Sequence, residues 1–132
     1  MSVEEIALTL PADESFHGVA HLVLGGLAAR LDLSFDALED LELGLDTLLE
    51  RIDGESTEVS VRVRIEDDDV TLSVGPFSRI KLRGELETES GKALDLRRIL
   101  DAVSDRIDVV DEQGGEWVSL RRRVQREPRR EP

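Results

Sequence analysis

Two neighbouring stretches of the chain alternate strictly between apolar and polar residues. Val59, Val61, Val63 and Ile65 are separated by Ser60, Arg62, Arg64 and Glu66. After the acidic turn Asp67–Asp68–Asp69, the alternation resumes with Val70, Leu72 and Val74 and is closed by Gly75–Pro76. A period of two is that of a strand with one buried face, so the pair predicts a hairpin. Ile6, Leu8 and Leu10 alternate in the same way with Ala7 and Thr9, predicting a first strand that ends at Pro11.

Between these strands the period changes. Phe16, Val19, Val23, Leu27 and Leu31 fall at helical spacing behind Asp13 or Ser15 as caps. Gly25 and Gly26 inside that helix lower its propensity and are read as permitting a close contact. A second helix follows Ser34 as cap, with Leu38, Leu41, Leu45, Leu48 and Ile52 as its stripe, Leu49 widening it and an end near Gly54. Residues 77–92 are polar, carry Gly84 and Gly91, and read as a mobile loop. Leu96, Ile99, Leu100 and Val103 mark a third helix. Ile107 to Val110 and Trp117 to Val124 then flank Gln113–Gly114–Gly115 as a hairpin. The order predicts an α+β fold: a single mixed, mostly antiparallel β-sheet with about three helices on one face. One domain is expected over residues 1–125, and a disordered basic tail over 126–132.

Composition narrows the chemistry. A chain of 132 residues suffices for one domain, burying about two-thirds of its unfolded surface. It has no cysteine, which excludes disulfides, a thiol nucleophile and a thiolate zinc site. The acidic start MSVEEIALTL is unlike a signal peptide, and the apolar run Val19 to Ala29, interrupted by His21, is too short to span a membrane. A cytoplasmic, soluble protein is expected. The net charge of −13 is uneven, because residues 121–132 hold six Arg and two Glu, a local +4 that leaves −17 on residues 1–120. Such a body repels nucleic acid and attracts basic partners.

The candidate chemistry lies on the second helix. Asp46, Thr47, Glu50 and Arg51 occupy its polar side, as a solvated face or the remains of a site. His17 and His21 stand at i and i+4, the spacing of two metal ligands, but no third ligand is evident and no metal is assigned. The chain has no nucleophile elbow and no P-loop. Trp117, its single tryptophan, reads as a strand residue or part of a dimer edge.

The order of elements, the polar loop before the third helix, and the stretches FDALEDLELGLDTLLERI and VSDRIDVVDEQGGEWVSL carry a resemblance. From residue 3 to about 124 the chain resembles the histidine-kinase-type ATPase fold and, more narrowly, bacterial anti-sigma factor serine kinases. The resemblance implies three chemical elements. A Glu general base, with an Asn four residues later to hold magnesium, projects from the second helix; Thr47 and Arg51 stand at those positions. An Asp accepts the adenine amino group after the central strand; Gly75–Pro76–Phe77–Ser78 stands there. A glycine-rich stretch wraps the phosphates; Ser90–Gly91–Lys92–Ala93–Leu94 retains one Gly and one Lys.

Thr is no base at neutral pH, and Arg is no metal ligand. Using Asp46 and Glu50 instead requires a one-residue slip, which turns the face by about 100°. The expected protein is therefore a degenerate member of this kind, with no catalytic residue, no cofactor and no metal. Its vestigial pocket comprises Asp46, Thr47, Glu50, Arg51, Pro76, Gly91 and Lys92. The resemblance implies a homodimer that binds a sigma factor, an anti-anti-sigma protein, or both, in transcriptional stress regulation. Neither nucleic acid nor membrane is an expected partner. Two alternatives stay open: an ATP- and magnesium-dependent serine kinase acting on an anti-anti-sigma partner through Asp46 or Glu50, and a binding module unrelated to transcription.

Overall fold

The computed structural model describes residues 3–52, 57–77, 92–112 and 115–124, with backbone alone over 92–95. Strand β1 (Val3–Pro11) leads through a single 3-10 turn (Glu14–Phe16) into α1 (His17–Arg30) and α2 (Phe35–Leu49). The hairpin β2 (Glu58–Glu66) and β3 (Asp69–Phe77) follows, then α3 (Lys92–Val103), β4 (Arg106–Glu112) and β5 (Gly115–Arg123). Phe77 and Lys92, at the ends of the expected polar loop, thus belong to a strand and a helix. Residues 78–91, Gln113–Gly114 of the expected hairpin turn, and the tail 126–132 lie outside the described residues.

The five strands form one sheet in the order β1-β2-β3-β5-β4. All four ladders are antiparallel, so the mixed component expected from the sequence is not present among them. Two helices connect β1 to β2 and return the chain to the end it left, so β2 enters antiparallel to β1. The register sets Leu8, Val61, Val74, Val118 and Val109 in one row and Ile6, Val63, Leu72, Leu120 and Ile107 in the next. Val59, Val61, Val63 and Ile65 are all buried, as the alternation predicts. Burying each such side chain contributes about 1.5–3 kcal/mol, so a slip that put Arg62 and Arg64 inside is excluded. Asp67, at φ 55°, makes the tight turn of the β2–β3 hairpin. Strand β3 does not stop at Gly75–Pro76 but passes through them, with a bulge between Val74 and Phe77 that accommodates the proline within the ladder.

The helices cover the apolar rows. On α2, Leu41, Leu45 and Leu48 are fully buried, and Ser34 caps the helix by accepting the Ala37 N–H at 3.2 Å. An added Cβ at Gly44 would lie 2.8 Å from Leu120 Cδ1, so the glycine lets α2 come down onto β5. Helix α2 ends at Leu49, short of the expected Gly54, which lies outside the described residues. Tight turns from Arg51 N–H to the Leu48 carbonyl and from Ile52 N–H to the Leu49 carbonyl replace its last turn.

Helix α1 follows the sequence expectation only in part, with Leu27 buried and Val23 and Leu31 packed against the core. It buries Ala20, Leu24, Leu27 and Ala28 and leaves Phe16 and Val19 exposed, with Leu22 77% exposed. The helix is apolar on nearly every side, so periodicity could not choose its inward face. Gly25 and Gly26 make no close contact: a Cβ at either would meet nothing within 4 Å. Asp13 caps the 3-10 turn, not α1, by accepting the Ser15 N–H at 3.0 Å.

Candidate functional site

The side of α2 that carries Gly44 faces β5 and α3, because an added Cβ there would approach Leu120 and Val103. Thr47, three residues on, and Asp40, four residues back, share that side. Thr47 is 8% exposed, and its hydroxyl donates to the Leu43 carbonyl at 2.7 Å. This bond to its own helix occupies the hydroxyl proton. Asp40 Oδ2 accepts from Arg122 through Nη2 at 2.8 Å and Nε at 3.0 Å. Arg51 follows, half-buried, in the turn beyond the helix.

Asp46 lies two residues from Gly44, about 200° round the helix. It meets His21 Nε2 at 2.5 Å on the α1 side, with the two side chains partly exposed. Glu50 caps the C-terminal end of α2 and lines a hollow of about 260 Å³ together with Glu14, His17 and Ile52. The two acids of the alternative register thus both meet the α1 side, Asp46 at His21 and Glu50 in the hollow beside His17. His21 is engaged by Asp46, whereas His17 lines the hollow. Among the described residues no three potential metal ligands come together.

At the position where an adenine acid would stand, β3 continues. Pro76 lies against the hairpin, so that a Cβ added to Gly115 would fall 2.4 Å from Pro76 Cβ. Phe77 is buried in the core. Ser78 and Gly91 lie outside the described residues; Lys92 opens the backbone of α3, and its side chain is not described. The positions read from the sequence as one pocket are thus divided, with Asp46 and Glu50 on the α1 side, Thr47 on the α3 side and Pro76 in the β3–β5 ladder.

Sequence reading missed an assembly on the opposite face of the sheet. Trp117 lies flat over Gly75, where an added Cβ would meet the indole at 2.6 Å. The Arg62 guanidinium stacks on the ring, 4.1 Å from its centroid, and donates to both Glu112 carboxylate oxygens at 3.1 and 3.2 Å. Three strands contribute besides the glycine. The alternation Trp117/Val118 carried the signal for its face, but its partners depend on cross-strand register.

The chain shares sequence and fold with known proteins. It is 25% identical over 100 residues to the serine-protein kinase RsbW of Oceanobacillus iheyensis, covering 71% of this chain and 55% of that one. It is 29% identical over 79 residues to the serine-protein kinase RsbW of Bacillus velezensis, covering 55% of this chain and 49% of that one. The chain thus spans about half the length of the curated relatives it matches. Its fold matches a crystal structure of the RsbU and RsbW domains of Rv1364c from Mycobacterium tuberculosis with a TM-score of 0.71 and 16% identity. That match covers 96% of this chain and 34% of the other. No family model matches. The chain is RsbW-like in sequence, weakly, and in fold.

Proposed function

We propose that this chain is an anti-sigma-factor-like regulator that acts by binding protein partners, its nucleotide site having lost its chemistry. The observation that carries the reading is the α3-facing side of α2. There Thr47 spends its hydroxyl on the Leu43 carbonyl, Asp40 is held by Arg122, and Asp46 points the other way, to His21. The partner classes are a sigma factor and an anti-anti-sigma protein. A body carrying −17 over residues 1–120 favours basic partner surfaces by electrostatic steering. A homodimer fits the exposed apolar residues Val19 and Leu22 of α1, Phe35 and Leu43 of α2, and the edge strand β1.

The relatives are named serine-protein kinases, which favours a second reading, an ATP-dependent kinase. Titration calorimetry with ATP, with and without magnesium, separates the two. The expected result is no heat in either titration. Losing the adenine acid alone leaves an amino group unpaired, at a cost of about 1–3 kcal/mol. Magnesium-dependent turnover abolished by Asp46→Asn or Glu50→Gln would restore the kinase. Metal-independent binding abolished by Arg51→Ala would make the site an anion site without hydrolysis. Capture of a sigma factor from the native host by the tagged protein tests the partner class directly.

A further inference from the structure

At about 100° per residue, Phe35, Glu39, Leu43, Asp46 and Glu50 fall within about 80° of one another on the outward side of α2. The buried Ala37, Leu41 and Leu48 lie opposite. Phe35 is 70% exposed and Leu43 48%, so two large apolar side chains stand in water on one stripe, with Glu39 midway between them. Scattered apolar residues on a surface are ordinary, but a stripe of them on one helix face marks an interaction surface.

The charge on this helix has one sign. Residues 35–50 hold Asp36, Glu39, Asp40, Glu42, Asp46 and Glu50, and no Lys, Arg or His. Asp40 is taken by Arg122 on the β5 side and Asp46 by His21 on the α1 side. Among the described residues the other four have no ion-pair partner. The flanking helices carry Arg30, Arg97 and Arg98; Arg97 is paired with Asp101 of its own helix, and none of the three pairs with an acid of α2. Glu39 stands three residues from Asp36 and Glu42, and Asp46 four from Glu42 and Glu50. Like charges at these intervals destabilise a helix, and Glu50 adds a negative charge at the end where the helix dipole disfavours it. A cationic partner would relieve both.

We propose that the outward side of α2 docks a basic amphipathic helix of a partner protein. Its apolar residues seat on Phe35 and Leu43, and its Lys or Arg side chains meet Glu39, Glu42 and Glu50. This rests on the protein-binding reading above and adds the surface and the form of its occupant. Phe35 and Leu43 also fit a homodimer, but a second copy seated there would bring acid against acid, which leaves Val19, Leu22 and β1 to the dimer. Spacing selects a helix. The two apolar residues lie about 12 Å apart along the axis, and a helix laid alongside repeats one face every seven or eight residues, about 10.5–12 Å. An extended segment repeats about every 6.7 Å and falls out of step. At the C-terminal end, Glu50 lines the hollow of about 260 Å³ with Glu14, His17, Leu49, Ile52 and Val59. Apolar walls and two acids suit the aliphatic stem and charged head of a Lys or Arg.

The probe is a capped peptide of about 18 residues, with Leu at every seventh position, Lys on either side of that stripe and Ala elsewhere. Binding to the full chain is read by calorimetry and by amide NMR, whose shifts should map to residues 35–50. Affinity should fall about tenfold as ionic strength rises from about 0.05 to about 0.2 M. The variants Phe35→Gln, Leu43→Gln and Glu39→Gln, Glu50→Gln should each lose at least about tenfold. Glu4→Gln, Glu5→Gln removes the same charge from exposed positions on β1 and should stay within about twofold. No binding at low salt, shifts that map elsewhere, equal binding by the α2 variants, or an equal loss in the β1 variant overturns the proposal. Equal binding of a proline-interrupted peptide of the same charge would make the occupant extended and overturn it too. So would self-association that Phe35→Gln, Leu43→Gln abolishes, since the occupant would then be a second copy. Capture of a sigma factor that the α2 variants leave unchanged overturns this surface while the protein-binding reading stands. Peptide binding as expected, with no sigma factor captured, sets aside that partner class and keeps the surface.

Discussion

Replacing Gly25 and Gly26 of α1 with alanine should stabilise the protein. Both lie inside a 14-residue helix, and a Cβ at either position meets nothing within 4 Å. No contact is therefore lost, and the gain is the helix propensity of Ala over Gly, about 0.8–1.0 kcal/mol per site. Residues i and i+1 do not face each other on a helix and neither new Cβ meets a neighbour, so the double variant should gain about 1.6–2 kcal/mol. Over 132 residues, an unfolding entropy of about 2.1 cal/mol/K per residue gives about 0.28 kcal/mol/K, hence a rise in Tm of about 6–7 °C. Thermal unfolding followed by far-UV circular dichroism measures it, with urea unfolding to check that the m-value is unchanged. A fall in Tm would refute the reasoning and revive the close contact that the sequence alone suggested. Repeating the melts over a dilution series separates the causes. Destabilisation confined to high concentration would locate that contact in a dimer at α1, whereas destabilisation at every concentration would locate it within the monomer.

The same substitution should have the opposite sign at Gly75. There the new Cβ would stand 2.6–3.0 Å from indole atoms of Trp117, a rigid ring with little room to yield. Overpacking of this kind costs about 1–3 kcal/mol, and displacing the ring from Arg62 should also shift Trp117 fluorescence; a neutral Gly75→Ala would contradict the stack. Ser34→Ala removes the α2 cap and should cost about 1 kcal/mol in denaturant unfolding, while Ser34→Asp retains the stability. Asp13 should titrate below its ordinary 3.8, because the Ser15 N–H and then the Ser15 hydroxyl favour its ionised form. A depressed carboxylate pKa adds stability above the unfolded value, and that stability is lost as pH falls through the folded value. Carbon NMR of the Asp13 carboxyl measures the midpoint, and one at or above 3.8 removes the cap.

What was legible in the sequence is what a single segment decides. The alternation from Val59 to Val74 left one possible inward face for β2 and β3, since the other face carries Arg62 and Arg64. Ser34, standing just before an apolar stripe, marked the start of α2 for a similarly local reason. The inward face of α1 was legible only in part: Leu27, Val23 and Leu31 pack on the core as their spacing predicts, but Phe16 and Val19 are exposed and Leu24, no more apolar, is buried instead. Pairings between distant segments were hidden too. His21 meets Asp46 only through the crossing of two helices, and Arg62, Trp117 and Glu112 meet through the registers of β2, β5 and β4.

The register of α2 bears on whether an enzyme could be built on this helix. Bringing Asp46 to where Thr47 stands requires turning α2 by about 100°. Leu41, Leu45 and Leu48 are at most 2% exposed, and Gly44 allows the backbone close to Leu120. Rotation would withdraw those leucines, each contributing about 1.5–3 kcal/mol, and would drive the side chain of Leu43 toward the space that the glycine leaves. Three leucines amount to about 5–9 kcal/mol, comparable with the whole stability of a domain this size. A slipped register is therefore not a minor state that a ligand could select, since a ligand shifts an equilibrium only by its differential affinity. A kinase using Asp46 would instead have to receive nucleotide on the α1 side, displace His21, and leave the α3 side unused.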